Sequence, residues 1–154
     1  NLKGAPVRNS KGEIGHIRMA DQGPIGYGKI GSFEGFCSGG GIAQLGKKYG
    51  KDLTTKQLAE EAQNGDPLSI KVFEESAEYL GKGLAILIDI LNPEIIILGS
   101  LYLRCQDLFE KKLMTVLEKE CLARNLKACK IEPASLSENI GDLAAISVAI
   151  YNQK

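Results

Sequence analysis

The only histidine of this 154-residue chain, His16, lies in the stretch GEIGHIR, three positions after Glu13. Carboxylates and neutral imidazoles can ligate metals, and they can also exchange hydrogen bonds with the hydroxyls of a polar ligand. A metal site would need two or three further N, S or O donors, and the neighbouring segment offers only Asp21, Glu34 and Cys37. The spacing therefore does not predict a metal site, whereas contact with a polar ligand and a purely structural histidine both stay open.

The backbone of this stretch decides whether the two side chains can cooperate. Residues 13–19 alternate loosely in polarity and predict a short strand. In a straight strand, Glu13 and His16 would point to opposite faces because they are three positions apart. They could reach one ligand only if Gly15 permits a bulge or a turn.

A glycine-rich tract, DQGPIGYGKIGSFEGFCSGGG, follows at residues 21–41. Its last three glycines come directly before an apolar run, and a helix that begins there would present bare backbone amides to an anion. The tract does not match a P-loop, because no Gly-Lys-Ser/Thr follows, and it does not match a dinucleotide G-x-G-x-x-G between a strand and a helix. An anion site and a plain loop are both consistent with it.

The run EIIILGS, residues 94–100, predicts a fully buried strand that ends in small residues. Such an end lets a ligand approach the backbone at the carboxyl edge of a sheet, although a plain strand and turn would have the same composition. One histidine and scattered thiols do not form a Ser-His-Asp or Cys-His arrangement. No catalytic residue is therefore predicted in this chain.

Helices must position these segments. Apolar periodicity predicts helices near residues 42–50, from a capping box at Thr54 and Gln57 to Gly65, from Asp66-Pro67 to Asn92, and over 105–123 and 140–151. A second strand is predicted within KACKIEPASL, residues 127–136. The alternation of helices with short apolar strands predicts a single α/β domain over residues 1–154, in which helices cover a sheet.

Composition narrows the class of protein. The chain has 19 basic and 19 acidic residues and a pI near 6.8, which gives no reason to expect a nucleic-acid backbone or an anionic membrane as partner. No apolar run approaches the roughly 18 residues of a membrane span. The four cysteines have no paired spacing and are expected to be reduced thiols in a cytoplasmic protein. The first residue is Asn1 rather than methionine, so we expect a piece of a longer protein.

Several segments together resemble the second half of the ROK family, which comprises sugar kinases and sugar-responsive transcriptional repressors. The similar segments are KGA at 3–5, GEIGH at 12–16, GSFEGFCSGGGI at 31–42, the long run from 53 to 100, and IGDLAAISVAI at 140–150. The resemblance implies an α/β lobe of the ribonuclease H-like, actin/hexokinase type, with a mixed sheet covered by helices. It further implies the C-terminal lobe of an ATP-dependent sugar kinase that phosphorylates a hexose or an N-acetylhexosamine.

The same resemblance implies roles for individual residues. Glu13, His16 and Glu34 would contact sugar hydroxyls, and Ser38, Gly39 and Gly99 would line the nucleotide side. ATP with Mg²⁺ would be the cofactor, and the lobe would form most of a homodimer interface. The catalytic base is expected in an N-terminal lobe that this chain does not contain, so the chain alone is expected to be inactive.

Two departures from the family pattern bear on function. Many members hold a structural zinc with a histidine and a C-x-C-G-x-x-G-C-x-E tract, but here Ile25, Tyr27 and Ser32 occupy the three cysteine positions, so no zinc is predicted. Ser100-Leu101 stands where kinases of the family usually have further glycines, which bears on nucleotide use. The alternatives are the effector-binding lobe of a repressor, with nucleic acid as a partner only if a helix-turn-helix lies upstream, and a non-catalytic sugar-binding relative.

Overall fold

The structure is a computed structural model that describes residues 12–99 and 101–134. Helices make up most of this part of the chain. A single cluster of buried apolar side chains joins most of them. In chain order the elements are a 3₁₀ helix (Ile14–His16), β1 (Ile25–Gly26), β2 (Lys29–Ile30), α1 (Phe33–Cys37), α2 (Gly39–Lys48), α3 (Thr55–Gln63), α4 (Pro67–Leu91), β3 (Ile95–Leu98), α5 (Leu101–Arg104), α6 (Gln106–Glu120), α7 (Ala123–Ala128) and β4 (Lys130–Pro133).

The strands form two small sheets of different kinds. β1 and β2 pair antiparallel as a hairpin, with Ile25 opposite Ile30. β3 and β4 pair parallel, from Ile95 opposite Lys130 to Leu98 opposite Pro133. Parallel and antiparallel pairing thus occur together with helices, in agreement with the predicted α/β class.

The central helix α4 begins and ends where the sequence predicts. The Asp66 side chain accepts the Ser69 N–H at 2.8 Å, and Pro67 occupies the first helical position, where no N–H is required. The helix ends at Asn92, which adopts a left-handed conformation with φ of 43° directly before Pro93. The capping box of α3 is also present, since Thr54 and Gln57 each accept a backbone N–H of the other.

Small residues in α4 let its neighbours pack closely. A side chain on Gly81 would meet Val116 of α6 at 2.7 Å, and one on Gly83 would meet the Phe33 ring of α1 at 2.2 Å. Between α4 and α6, Phe73 and Phe109 pack edge to face with centroids 5.7 Å apart. The core therefore lies around α4, and α1, which carries Glu34, packs directly against it.

The strand predicted over residues 13–19 is wrong. The Glu13 side chain accepts the Gly15 N–H at 2.9 Å, and the Ile17 N–H returns to the Ile14 carbonyl at 2.9 Å, so the chain closes a 3₁₀ turn. A short polar side chain that satisfies the local backbone competes with strand pairing.

Two further predictions need correction. The strand β3 is not fully buried: Ile95 is 45% and Ile97 62% exposed, because among the described residues β3 pairs with β4 alone and one face stays uncovered. The helix predicted over 105–123 ends at Glu120, since Cys121 is extended and the Leu122 N–H donates to the Asp89 carboxylate instead. The helix predicted over 140–151 lies outside the described residues.

Candidate functional site

The 3₁₀ turn brings Glu13 close to Glu34. A β-carbon on Gly15 would lie 2.9 Å from Glu13 Oε1, 3.0 Å from the Tyr27 ring and 3.2 Å from Glu34 Cβ. These three side chains therefore pack closely around Gly15, and a larger residue there would have to displace the Glu13 carboxylate. The chain turns at Gly15 instead of running straight, so Glu13 and His16 are not held to opposite faces of a strand.

His16 lies at the end of this turn with an exposed side chain. Its backbone carbonyl accepts a hydrogen bond from Lys29 Nζ at 2.6 Å. The turn is also tied to the start of α1, because the Phe33 N–H donates to the Ile17 carbonyl at 2.8 Å. His16 is thus held through its backbone, and its ring faces solvent.

Ser38 joins the two helices that follow. It ends α1, where its N–H donates to the Glu34 carbonyl at 3.0 Å, and it caps α2, where its Oγ accepts the Gly41 N–H at 3.1 Å. The amides of Gly39 and Gly40 come first in α2, where the helical ladder offers no acceptor. The triple glycine therefore forms the first turn of α2, as expected for an anion-binding helix end.

A cavity of about 280 Å³ brings four of the predicted residues together. Glu34, Ser38, Gly39 and Gly99 all line it, although Gly99 is some 60 positions away in the chain. Its floor is apolar, with Leu80, Leu98, Leu101, Tyr102 and Phe109. Glu13 and His16 are not part of this lining; Glu13 lies near Glu34 through their common contact with Gly15.

A second cavity of about 550 Å³ adjoins the first, since Gly39 and Leu101 line both. Its polar lining comes from α3 and α5 and includes Thr55, Lys56 and Arg104. Thr55 Oγ1 donates to the Gly39 carbonyl, which fixes the start of α2 against α3. Nothing in the sequence pattern marks these residues, because their proximity arises only when α3 and α5 pack beside α2.

The cysteine nearest to the site is a neutral thiol. Burial, and then the Glu34 charge, raise the pKa of Cys37 well above its ordinary value. Burial likewise raises the pKa of the Cys105, Cys121 and Cys129 thiols, and all four cysteines are free. A high pKa disfavours the reactive thiolate, so Cys37 contributes shape rather than nucleophilic chemistry.

The residues at the family's zinc positions do not suit a zinc ion. Ser32 is fully buried, and its hydroxyl already donates to the Gly26 carbonyl and accepts the Gly35 N–H, both at 3.0 Å. Ile25 has no donor atom, and Tyr27 is a phenol. Within residues 12–99 and 101–134, no group of three or more His, Cys, Asp or Glu side chains is placed to hold a metal.

In the described part of the chain, no helix combines the length and apolar character needed to cross a membrane.

Comparison with known proteins identifies the family. The model of the ROK family matches residues 5–151. A glucokinase of Halalkalibacterium halodurans is 31% identical over 152 residues, covering 88% of this chain and 46% of that protein. A xylose repressor of Caldicellulosiruptor bescii is 27% identical over 154 residues, covering 90% of this chain and 39% of that protein. The chain belongs to the ROK family, and it spans less than half the length of these relatives.

Solved structures of the family show the same fold. A ROK family glucokinase from Streptomyces griseus, in complex with glucose and AMPPNP, superposes with a TM-score of 0.69 at 23% identity, over 82% of this chain and 47% of that chain. The ROK hexokinase from Thermus thermophilus gives 0.70 at 24% identity, over 83% and 43%. The fold is therefore α/β, of the actin and hexokinase type.

Proposed function

We propose that this chain is the C-terminal, sugar-recognising lobe of an ATP-dependent sugar kinase that phosphorylates a hexose or an N-acetylhexosamine. The observation that carries the proposal is the cavity in which Glu34 lies beside Ser38, Gly39 and Gly99. A carboxylate that accepts from hydroxyls and a helix end that attracts phosphate are the two features a sugar kinase must place side by side.

On the sugar side, Glu13 and Glu34 act as hydrogen-bond acceptors. Glu13 uses Oε1 for the Gly15 N–H, which leaves Oε2 for a hydroxyl. His16 lies at the end of the same turn with an exposed side chain and can donate to or accept from a hydroxyl. A site built from such groups discriminates strongly against sugars that lack the matching hydroxyl, because a buried polar group is then left unpaired.

On the nucleotide side, Ser38 and Gly39 present the N-terminus of α2 to phosphate, and Gly99 lets a ligand approach the backbone. The adjoining cavity between α3 and α5 gives room for the remainder of ATP, with Lys56 and Arg104 in its lining. ATP, bound with Mg²⁺, supplies the phosphoryl group. The described residues of this chain contribute position and partial positive charge rather than covalent chemistry.

No described residue suits the role of a base for the sugar hydroxyl. The proposal therefore assigns that base to an N-terminal lobe, so residues 1–154 alone are expected to be inactive. Closure of the two lobes would exclude water from the phosphoryl transfer. The proposal includes a homodimer formed through this lobe and a cytoplasmic location.

A second candidate function is supported by the similarity to the xylose repressor over 154 residues. In that case the same sugar site would belong to an effector-binding lobe, and bound sugar would shift the equilibrium of an upstream DNA-binding domain. A sugar-binding relative without catalysis is the third candidate, prompted by Ser100-Leu101. All three share the sugar site and differ in the use of ATP.

The deciding experiment measures ADP release by the full-length protein with Mg·ATP and a panel of hexoses and N-acetylhexosamines, together with calorimetric binding of each sugar. Turnover with one sugar, abolished by Glu34→Gln, supports the kinase and names its substrate class. Sugar binding without turnover overturns the kinase in favour of the effector lobe or the inactive relative. Neither binding nor turnover with any sugar overturns the sugar site itself.

A further inference from the structure

The β1–β2 hairpin has an unusual residue at its tip. Tyr27 and Gly28 form the two-residue loop, with φ of 50° and 70°. Positive φ at both positions defines a type I′ turn, which favours Asn-Gly, whereas a tyrosine in the left-handed region is disfavoured. The hairpin therefore tolerates a backbone cost to place this aromatic ring where it is.

The hairpin contacts the Glu13–His16 turn at two points. The Tyr27 ring packs against Gly15, where an added β-carbon would be 3.0 Å from the ring. Lys29 Nζ donates to the His16 carbonyl at 2.6 Å. Both contacts therefore fall on neighbouring residues, Gly15 and His16, in the second half of the Glu13–His16 turn. We call the Tyr27 ring and the Lys29 ammonium group the hairpin clamp.

One residue of the clamp, Tyr27, stands at a position where the family pattern has a zinc ligand. The serine at another such position, Ser32, already has a donor and an acceptor as partners. A structural zinc in such a place would tie the histidine segment to the hairpin and to the start of α1. In this chain a ring contact and a charge-assisted hydrogen bond join the same segments.

From these contacts we propose that Tyr27 and Lys29 are positioning residues, which hold the Glu13–His16 turn in its ligand-binding conformation without a metal ion. This inference rests on the proposed sugar site for its consequence in binding, but the clamp itself is a property of the ligand-free protein. The two parts can therefore be tested separately.

The first test is amide hydrogen exchange of residues 13–18 in the full-length, ligand-free protein. Lys29→Met is expected to raise the exchange rate of this segment roughly threefold to tenfold, as the loss of one charge-assisted hydrogen bond predicts. Lys29→Arg restores slow exchange, because the guanidinium also donates. Lys119→Met, which removes an 80% exposed lysine from α6, serves as the matched control and leaves residues 13–18 unchanged.

Tyr27→Asn removes the aromatic ring but keeps a residue that is favoured at this position of the turn. An Asn-Gly pair is favoured in a type I′ turn, so the melting temperature should equal or exceed that of the wild type. Exchange at residues 13–18 should nevertheless rise, because the ring no longer covers Gly15. Wild-type exchange in both Tyr27→Asn and Lys29→Met overturns the clamp.

The second test measures the Kd of D-glucose and N-acetyl-D-glucosamine by calorimetry, with and without EDTA. Lys29→Met should weaken binding of the recognised sugar by about threefold to tenfold and leave the Kd of AMPPNP unchanged. EDTA should change neither sugar binding nor exchange. Stoichiometric zinc whose removal speeds exchange overturns the inference. If the wild type binds neither of these sugars nor any other hexose or N-acetylhexosamine of the panel, while exchange responds as expected, the sugar site fails and the clamp stands.

Discussion

At the scale of single residues, the acidic side chains of the site use their oxygens for different purposes. Glu13 Oε1 is taken by the Gly15 N–H, so the carboxylate both closes the turn and offers its second oxygen. Glu34 lines the cavity and lies close to the partly buried Cys37 thiol. Glu13 thus has a structural role in the turn and a proposed binding role, which a substitution can separate.

Glu13→Gln tests the binding role alone. The glutamine oxygen can still accept the Gly15 N–H, whereas the second carboxylate oxygen is replaced by an amide NH₂ group, which donates and cannot accept from a hydroxyl. We expect sugar affinity to fall roughly tenfold or more, with the melting temperature unchanged. Isothermal titration of the full-length protein, with the exposed Glu118→Gln on α6 as control, measures this. Wild-type affinity in Glu13→Gln would contradict the assignment of Glu13 to the sugar.

Asp66 predicts a pH dependence of stability. The ion pair with Lys51 and the Ser69 N–H hold the pKa of Asp66 at about 2, below its ordinary value of 3.8. A depressed pKa means that the charged form stabilises the fold above pH 3.8 and that this contribution disappears as pH falls through about 2.

Asp66→Asn keeps a capping side chain and removes the charge. The variant should melt below the wild type at pH 7, and the difference should shrink steadily between about pH 4 and pH 2. Thermal unfolding followed by circular dichroism at pH 7, 4 and 2.5 measures it. A difference that is constant over this range would show that the charge of Asp66 contributes nothing.

At the scale of elements, the site depends on the close approach of α1 and α2. A β-carbon on Gly41 would lie 1.6 Å from the Gly35 carbonyl oxygen, so the two backbones are in direct contact. This contact, together with the Ser38 cap, sets the direction in which α2 points its first amides. The glycines after Ser38 therefore differ in purpose, although they are identical in the sequence.

Gly41→Ala and Gly40→Ala form a matched pair. Alanine at 41 must push α2 away from α1, with an expected loss of about 1–3 kcal/mol in unfolding free energy and weaker nucleotide binding. Alanine at 40 meets nothing within 4 Å and should be neutral or slightly stabilising in a helix. Denaturant unfolding and AMPPNP titration distinguish them. Equal behaviour of the two variants would contradict the packing.

At the scale of the whole molecule, α4 and α6 form the central helix pair, and α1, α2 and α3, which carry site residues, pack against α4. Leu113 and Phe109 of α6 are buried against α4, and Phe33 of α1 packs on the opposite side of the same helix. The β3–β4 pair lies at one end with Ile95 and Ile97 exposed. The described residues cover the contact between α4 and α6, whereas they leave one face of β3 exposed.

Leu113→Ala tests the packing between α4 and α6. Leu113 is fully buried, so its truncation should cost about 2–5 kcal/mol of unfolding free energy. Met114→Ala, next to it and 38% exposed, should cost much less. Chemical denaturation of the full-length variants gives both values. A similar loss in the two variants would show that α6 packs in another register.

The sequence by itself determined the local features of this protein. The Asp66 cap, the capping box of Thr54 and Gln57, and the end of α4 before Pro93 follow from contacts within a few residues, and all are confirmed. The motifs were also sufficient to place the chain in the ROK family. These features are readable because each depends on neighbours in the chain.

Only the tertiary structure decided how the site is assembled. Gly99 lines one cavity with Ser38 and Gly39 although it is distant from them in the chain, and the cavity lined by Thr55 and Arg104 has no signature in the sequence. The turn at Glu13 is an exception among the local features: the sequence predicts a strand there, because alternating polarity does not reveal that the carboxylate accepts the Gly15 N–H. Spacing in the sequence specifies helices and caps, but the distances between the helices depend on how their side chains pack in the core.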